Sequence, residues 1–176
     1  MFNTILPFRR VQRNRNRTAG RESWRWLDIY KFFMASPNSR RKYLVEIHAY
    51  DGHLYTADFY AKVNNVNRYR LRTNQFAAGK LGGTVLAILA EVIRADPQAC
   101  FGFIAAAMLE ETSDLATKRY ELYMKMLEFK LDPRHHLVIG QRETSSIFVV
   151  PVALLQRPDH VRRILKRYEQ IFSETF

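Results

Sequence analysis

Six residues, Gly79-Lys80-Leu81-Gly82-Gly83-Thr84, offer the first chemistry in this 176-residue chain. They follow a run with strand character, Arg68-Tyr69-Arg70-Leu71-Arg72-Thr73, and lead into an amphipathic helix. A glycine turn at a helix start leaves backbone N–H groups free to meet an anion. Gly79, Gly82, Gly83 and Thr84 would supply the amides, and Lys80 adds a positive charge. The same glycines also suit a tight strand-to-helix connection with no ligand, and both readings stand. Tyr123 lies on the apolar stripe of a later helix, where a tyrosine is either core or a proton donor. Proton removal needs a base, for which the carboxylates Glu46, Asp58, Glu110 and Glu111 are candidates. Glu111 follows the central strand, where sites in mixed sheets lie.

Elements must position these groups. Trp26, Ile29, Tyr30 and Phe33 recur at helical spacing, which predicts a helix over 22–34. Two alternating runs, Tyr43–Tyr50 and Leu54–Val63, meet at Asp51-Gly52, a hairpin signal. A two-residue turn there pairs Ala49 with Leu54 and Val45 with Asp58, which keeps Asp58 away from Glu46 and His48. The 68–73 run completes an antiparallel meander. A helix follows from about Thr84 to Ala95, stopped by Asp96-Pro97. Cys100-Phe101-Gly102-Phe103-Ile104 is apolar on both faces, as a central strand is. Ser113-Asp114 can cap the next helix, with Tyr120, Tyr123, Met124, Leu127 and Leu131 as its stripe. Two strands, His136–Gly140 and Ser146–Val152, precede a last helix from Pro158. The expected class is α/β (α+β): a mixed, largely antiparallel sheet of about six strands with helices on both faces, in the order α-β-β-β-α-β-α-β-β-α.

The charge is uneven. The chain carries +11, of which residues 1–42 hold +9 (11 Lys/Arg against 2 Asp/Glu). Residues 9–21 have no apolar period, so residues 1–21 read as a flexible basic arm before one domain, 22–176. Arg9, Arg10, Arg13, Arg15, Arg17 and Arg21, with Arg68, Arg70 and Arg72 on one strand face, could together hold nucleic acid or an acidic protein. An organellar transit segment is also Arg-rich and acid-poor; a cytoplasmic location is the default expectation. No apolar run is long enough for a transmembrane helix. Cys100 is the only cysteine, so neither an intramolecular disulfide nor a thiolate zinc site is available. His135-His136 are adjacent, and His48, His53 and His160 lack ligand spacing, so no metal is expected. Ser145-Ser146 lack a Gly-x-Ser-x-Gly elbow.

From its second strand to its last, this order resembles the GCN5-related N-acetyltransferase fold. Ala78-Gly79-Lys80-Leu81-Gly82-Gly83 stands where that family carries Arg/Gln-x-x-Gly-x-Gly/Ala; Gly83 matches, and Leu81 and Ala78 depart. Leu122-Tyr123-Met124-Lys125-Met126 is similar to the family's Leu-Tyr-x-Lys-Leu. The resemblance covers about residues 43–153. It implies acyl-CoA as donor, a primary amine as acceptor, a pyrophosphate turn at Gly79–Thr84, and Tyr123 as proton donor to the departing thiolate. The alternative is a non-enzymatic module on the same scaffold that binds nucleic acid or an acidic partner through the basic arm.

Overall fold

The computed structural model describes residues 3–17, 24–36, 39–62, 75–106, 113 and 115–175. Its strands are β1 (Phe8–Arg15), β2 (Trp26–Ser36), β3 (Ser39–Tyr50), β4 (Leu54–Ala61), β5 (Cys100–Ile104), β6 (His136–Gln141) and β7 (Ser146–Pro151). The helices are α1 (Gln75–Ala95), α2 (Lys118–Lys130) and α3 (Pro158–Thr175). The seven strands form one sheet in the order β1-β2-β3-β4-β5-β7-β6. Only β4 and β5 run parallel; the other pairs are antiparallel. The fold is thus α+β with a mixed, mostly antiparallel sheet. Among the described residues four strands precede α1, the first two in place of the expected arm and first helix.

Of the expected helix over 22–34, residues 26–34 lie in β2. Trp26, Tyr30, Phe32 and Met34 alternate onto one face and pack in the larger core cluster. Asp28 occupies the same face at 4% exposure, so a charged residue interrupts the period of two and leaves helical spacing more visible. Aromatic and branched side chains favour the strand. The stretch read as a flexible arm supplies β1, which pairs with β2 from Phe8 to Arg15. A bulge at Val11 puts Arg10 and Arg13, three apart, on one face. There Arg13 Nε and Nη2 donate to the Asp28 carboxylate at 2.6 and 2.5 Å, and Arg10 Nη1 reaches it at 3.4 Å. Two exposed arginines hold a buried acid, which secures a strand that has almost no apolar residues.

Two further expectations fail for local reasons. The glycine stretch is not a turn: Gly79–Thr84 lie inside α1. Gly82 and Gly83 are buried, and the Leu6 amide donates to Thr84 Oγ1 at 2.9 Å, so the N-terminal segment lies against the helix there. Glycine weakens a helix without breaking it, and no proline intervenes. The β3–β4 connection has three residues, since Tyr50 pairs with Leu54 and Asp51-Gly52-His53 form the loop. Gly52 (φ 79°) and His53 (φ 62°) both take left-handed conformations. The cap of α2 is Thr117, whose Oγ1 accepts the Tyr120 amide at 3.1 Å and donates to the Ala105 carbonyl at 2.7 Å. The expected strand 68–73 lies outside the described residues.

α1 and α2 cover one face of the sheet, packing Leu81, Val85, Ile88, Leu89, Val92, Tyr120 and Leu127 against β2–β5 and β7. α3 covers part of the other, packing Ile164, Tyr168 and Ile171 against Leu54, Cys100, Phe148 and Val150.

Candidate active site

The parallel pair β4–β5 holds together for three residue pairs: Leu54–Cys100, Tyr55–Phe101 and Thr56–Gly102. Beyond them, among the described residues, β4 continues to Ala61 paired only with β3, and β5 continues to Ile104 paired only with β7. The paired end is clamped. Tyr168 of α3 donates its hydroxyl to the Cys100 carbonyl at 2.5 Å and lies 3.0 Å from the Tyr55 carbonyl; the Tyr55 amide donates back to it at 3.2 Å. Gly102 makes room: a Cβ there would come within 2.6 Å of the Tyr168 ring. His53 Nδ1 and the Tyr55 hydroxyl both reach Asp96 at the end of α1, at 2.9 and 2.8 Å.

The unpaired end opens into a cavity of about 350 Å³. On the α1–α2 face it is lined by Val85, Leu89, Phe59, Tyr123, Met126 and Leu127, and on the opposite face by Glu46, His48 and Asp58. It therefore reaches through the gap between β4 and β5, just outside their carboxyl ends, where ligands bind in sheets of this kind.

The three-residue loop decides which groups meet here. With Tyr50 opposite Leu54, Glu46 falls directly opposite Asp58. The two-residue turn expected from Asp51-Gly52 puts Asp58 on the other face; the single added residue flips it. Burial pushes the Asp58 carboxyl up to about 6, and the neighbouring Glu46 charge adds to the rise. Glu46 is itself held by the Tyr60 hydroxyl, which donates to it at 2.5 Å. Burial lowers the His48 pKa, with Glu46 offsetting part of the fall, so the ring is neutral at neutral pH. Trp24 stands edge-on to it, 5.8 Å between centroids. Tyr123 packs against Phe59 at 5.6 Å. Burial pushes its phenol up to about 12; Arg119 works against the rise and the Asp58 charge adds to it. The cavity thus holds an acid that loses its proton near pH 6 and a phenol that keeps its proton at neutral pH.

The sequence candidates distribute unevenly. Tyr123 lines the cavity. Glu46 and Asp58 also line it, but as a facing pair. Glu110, Glu111, Arg21, Arg68, Arg70 and Arg72 lie outside the described residues. The amides of Gly82, Gly83 and Thr84 belong to the helical ladder, and so does that of Gly79, four residues past Gln75, so none is free for an anion. Lys80 is an exposed side chain of α1. The first amides of an α-helix have no acceptor within the helix, and in α1 that turn begins at Gln75. Val85 and Leu89 line the cavity, whereas Val92 and Ala95 stand near His53 and Tyr55, so α1 runs antiparallel to β4. Its first turn accordingly lies at the end where β4 and β5 part. Of the arm's arginines, Arg10 and Arg13 are occupied by Asp28, and Arg9, Arg15 and Arg17 are exposed.

Sequence reading places Tyr168 on the inward stripe of the last helix but misses its hold on β4 and β5, and it gives Gly102 no role, since its only signal is a glycine in an apolar strand. It also passes over Arg119 and Tyr60, which carry no motif, and weighs His48 only as a histidine without ligand spacing. Among the described residues no three His, Cys, Asp or Glu side chains cluster as a metal site needs, and no helix is long and apolar enough to cross a membrane. Comparison with protein-family models, curated proteins and solved structures finds no match for this chain.

Proposed function

We propose that the cavity is the site of an acyl transfer from acyl-CoA to a primary amine. The observation that carries this reading is the cavity itself: it crosses the gap between two parallel strands, with a facing carboxylate pair on one side and a protonated tyrosine on the other. A donor enters from the α1–α2 face with its phosphates toward the first turn of α1, whose amides have no acceptor within the helix. An amine enters from the opposite face, beside Glu46 and Asp58. Its nitrogen attacks the thioester carbonyl, the new N–C bond forms and the C–S bond breaks. The proton lost by nitrogen goes to Asp58, whose raised pKa makes it a competent base near neutrality. The thiolate leaves with the proton of Tyr123. The Leu122–Met126 run supports the reading through its resemblance to the GCN5-related N-acetyltransferases.

Titration calorimetry with acetyl-CoA and CoA tests it. Binding tighter than about millimolar, roughly 4 kcal/mol, is expected; no heat from either ligand at millimolar concentration would end the reading. In the alternative, a module that grips nucleic acid through the basic arm, Arg10 and Arg13 are engaged by Asp28, and among the described residues of the arm Arg9, Arg15 and Arg17 remain exposed. A flat dependence of nucleic-acid affinity on salt would remove it altogether.

A further inference from the structure

The sheet face that carries Glu46 and Asp58 also carries a cluster of cations further along the same strands. Leu44 and Tyr60 face each other two residues from the carboxylate pair, and Lys42 faces Lys62 two residues further, joined by the Lys62 amide donating to the Lys42 carbonyl at 2.9 Å. Lys31 stands opposite Leu44 on β2, and Arg9 opposite Lys31 on β1, all on this face. Arg40 joins them, its guanidinium 4.2 Å from the Phe33 ring centre. Among the described residues no carboxylate pairs with Lys31, Lys42 or Lys62. Lys42 is held below the usual lysine range by its slight desolvation and by the charges of Lys62 and Lys31. α3 packs against Leu54, Cys100, Phe148 and Val150, away from this row, so among the described residues no helix covers the face here.

Like charges gathered on adjacent strands repel one another, and an anion relieves them. The carboxylate pair lies four residues away along β3 and β4, about 13 Å. From this spacing the geometry points to an acceptor that is bipolar: a primary amine bearing a phosphate about 13 Å from its nitrogen, the amine at Asp58 and Glu46 and the phosphate at Lys42 and Lys62. This rests on the acyl-transfer reading and gives its acceptor a chemical class. The donor's phosphates do not compete for the cluster, because the first turn of α1 lies on the other face of the sheet.

The test compares 8-aminooctyl phosphate with 8-aminooctanol as acceptors of acetyl-CoA, following thiol release and acceptor binding by calorimetry. Phosphate should raise kcat/KM at least tenfold, mainly through KM. The Lys42→Gln/Lys62→Gln variant should lose that advantage and keep its rate on the alcohol. Lys42→Arg/Lys62→Arg, which keeps both charges, should retain it, and a melting curve for each variant separates folding from binding. Equal use of the two amines by the parent, with acetyl-CoA bound, overturns the acceptor class alone. A tenfold preference for a free-amine peptide rich in glutamate over the phosphate overturns it in favour of an acidic protein acceptor. Failure of acetyl-CoA to bind at all ends the acyl-transfer reading and this inference with it, a result distinct from the other two.

Discussion

The two ends of the β4–β5 pair share a backbone and differ in everything attached to it. At the first end, Tyr168 bridges Tyr55 and Cys100, Gly102 admits its ring, and Asp96 ties His53 and Tyr55 to the end of α1. At the other end the pairing stops, and Glu46, Asp58 and Tyr123 surround a cavity. The difference teaches how a sheet makes a cleft without a break in the chain. One end is over-determined by a buried hydrogen-bond hub, and the strands can then diverge at the other without losing register.

The largest effect expected from breaking this contrast is chemical. Asp58→Asn removes the base and leaves its shape, so acyl transfer should fall on the order of 10³-fold. In the parent, kcat/KM should rise with pH through about 6 as Asp58 ionises, and the variant should lose that limb. An unchanged pH profile would assign the base elsewhere. Tyr123→Phe should cost on the order of 10²-fold in kcat while leaving the melting temperature almost unchanged, since the ring and its packing against Phe59 remain. A full-rate phenylalanine variant would make Tyr123 a core residue only.

At the clamped end the expected effects are on stability. Gly102→Ala drives a Cβ into the Tyr168 ring, with further contact to Phe172, and should cost about 1–3 kcal/mol. For a chain of this size that is roughly 2–4 °C of melting temperature per kcal/mol. A neutral Gly102→Ala would mean that the clamp is slack.

The smallest effect is on stability at the open end and follows pH. The folded pKa of Asp58 lies above its unfolded value, so the folded state holds the proton longer. Below about pH 4 the residue contributes nothing; as pH rises to about 6 the unfolded chain ionises first and stability falls; above that the penalty is constant. Allowing for its partial contact with solvent, the penalty is roughly 1–2 kcal/mol. Chemical denaturation at pH 4 and pH 7 should therefore show Asp58→Asn gaining on the parent as pH rises. A variant that tracks the parent at both would place Asp58 in water.

Much of the second half of the chain was legible. The strand at Cys100–Ile104, the β6–β7 hairpin and α3 each follow from unmixed periodicities, and Asp96-Pro97 stops α1 where expected. The first half misled for specific reasons. Asp28 sits in a core slot and hides the period of β2. β1 has polar residues on both faces because it is an edge strand, and its order comes from backbone pairing and the Asp28 contacts, neither of which leaves a hydrophobic pattern. The glycines of α1 looked like a turn because their cost as helix residues is local, whereas the length of the helix is set by its whole packed face. The site was half legible: Tyr123 from a motif, Asp58 and Glu46 as separate acids, and their meeting not at all.

By itself the sequence determined which segments bury themselves, because apolar spacing acts within one element, and which side chains could exchange protons, because that is a property of residue type. Only the tertiary structure decided which of them meet. One residue in the Asp51–His53 loop sets the register of β3 against β4 and so turns Asp58 toward Glu46. A tyrosine from the last helix, 113 residues from its partner Tyr55 in sequence, decides where β4 and β5 stay joined and hence where they part. Register and long-range contact depend on the loop geometry and the packing of distant elements together, and neither is written in the period of any single segment.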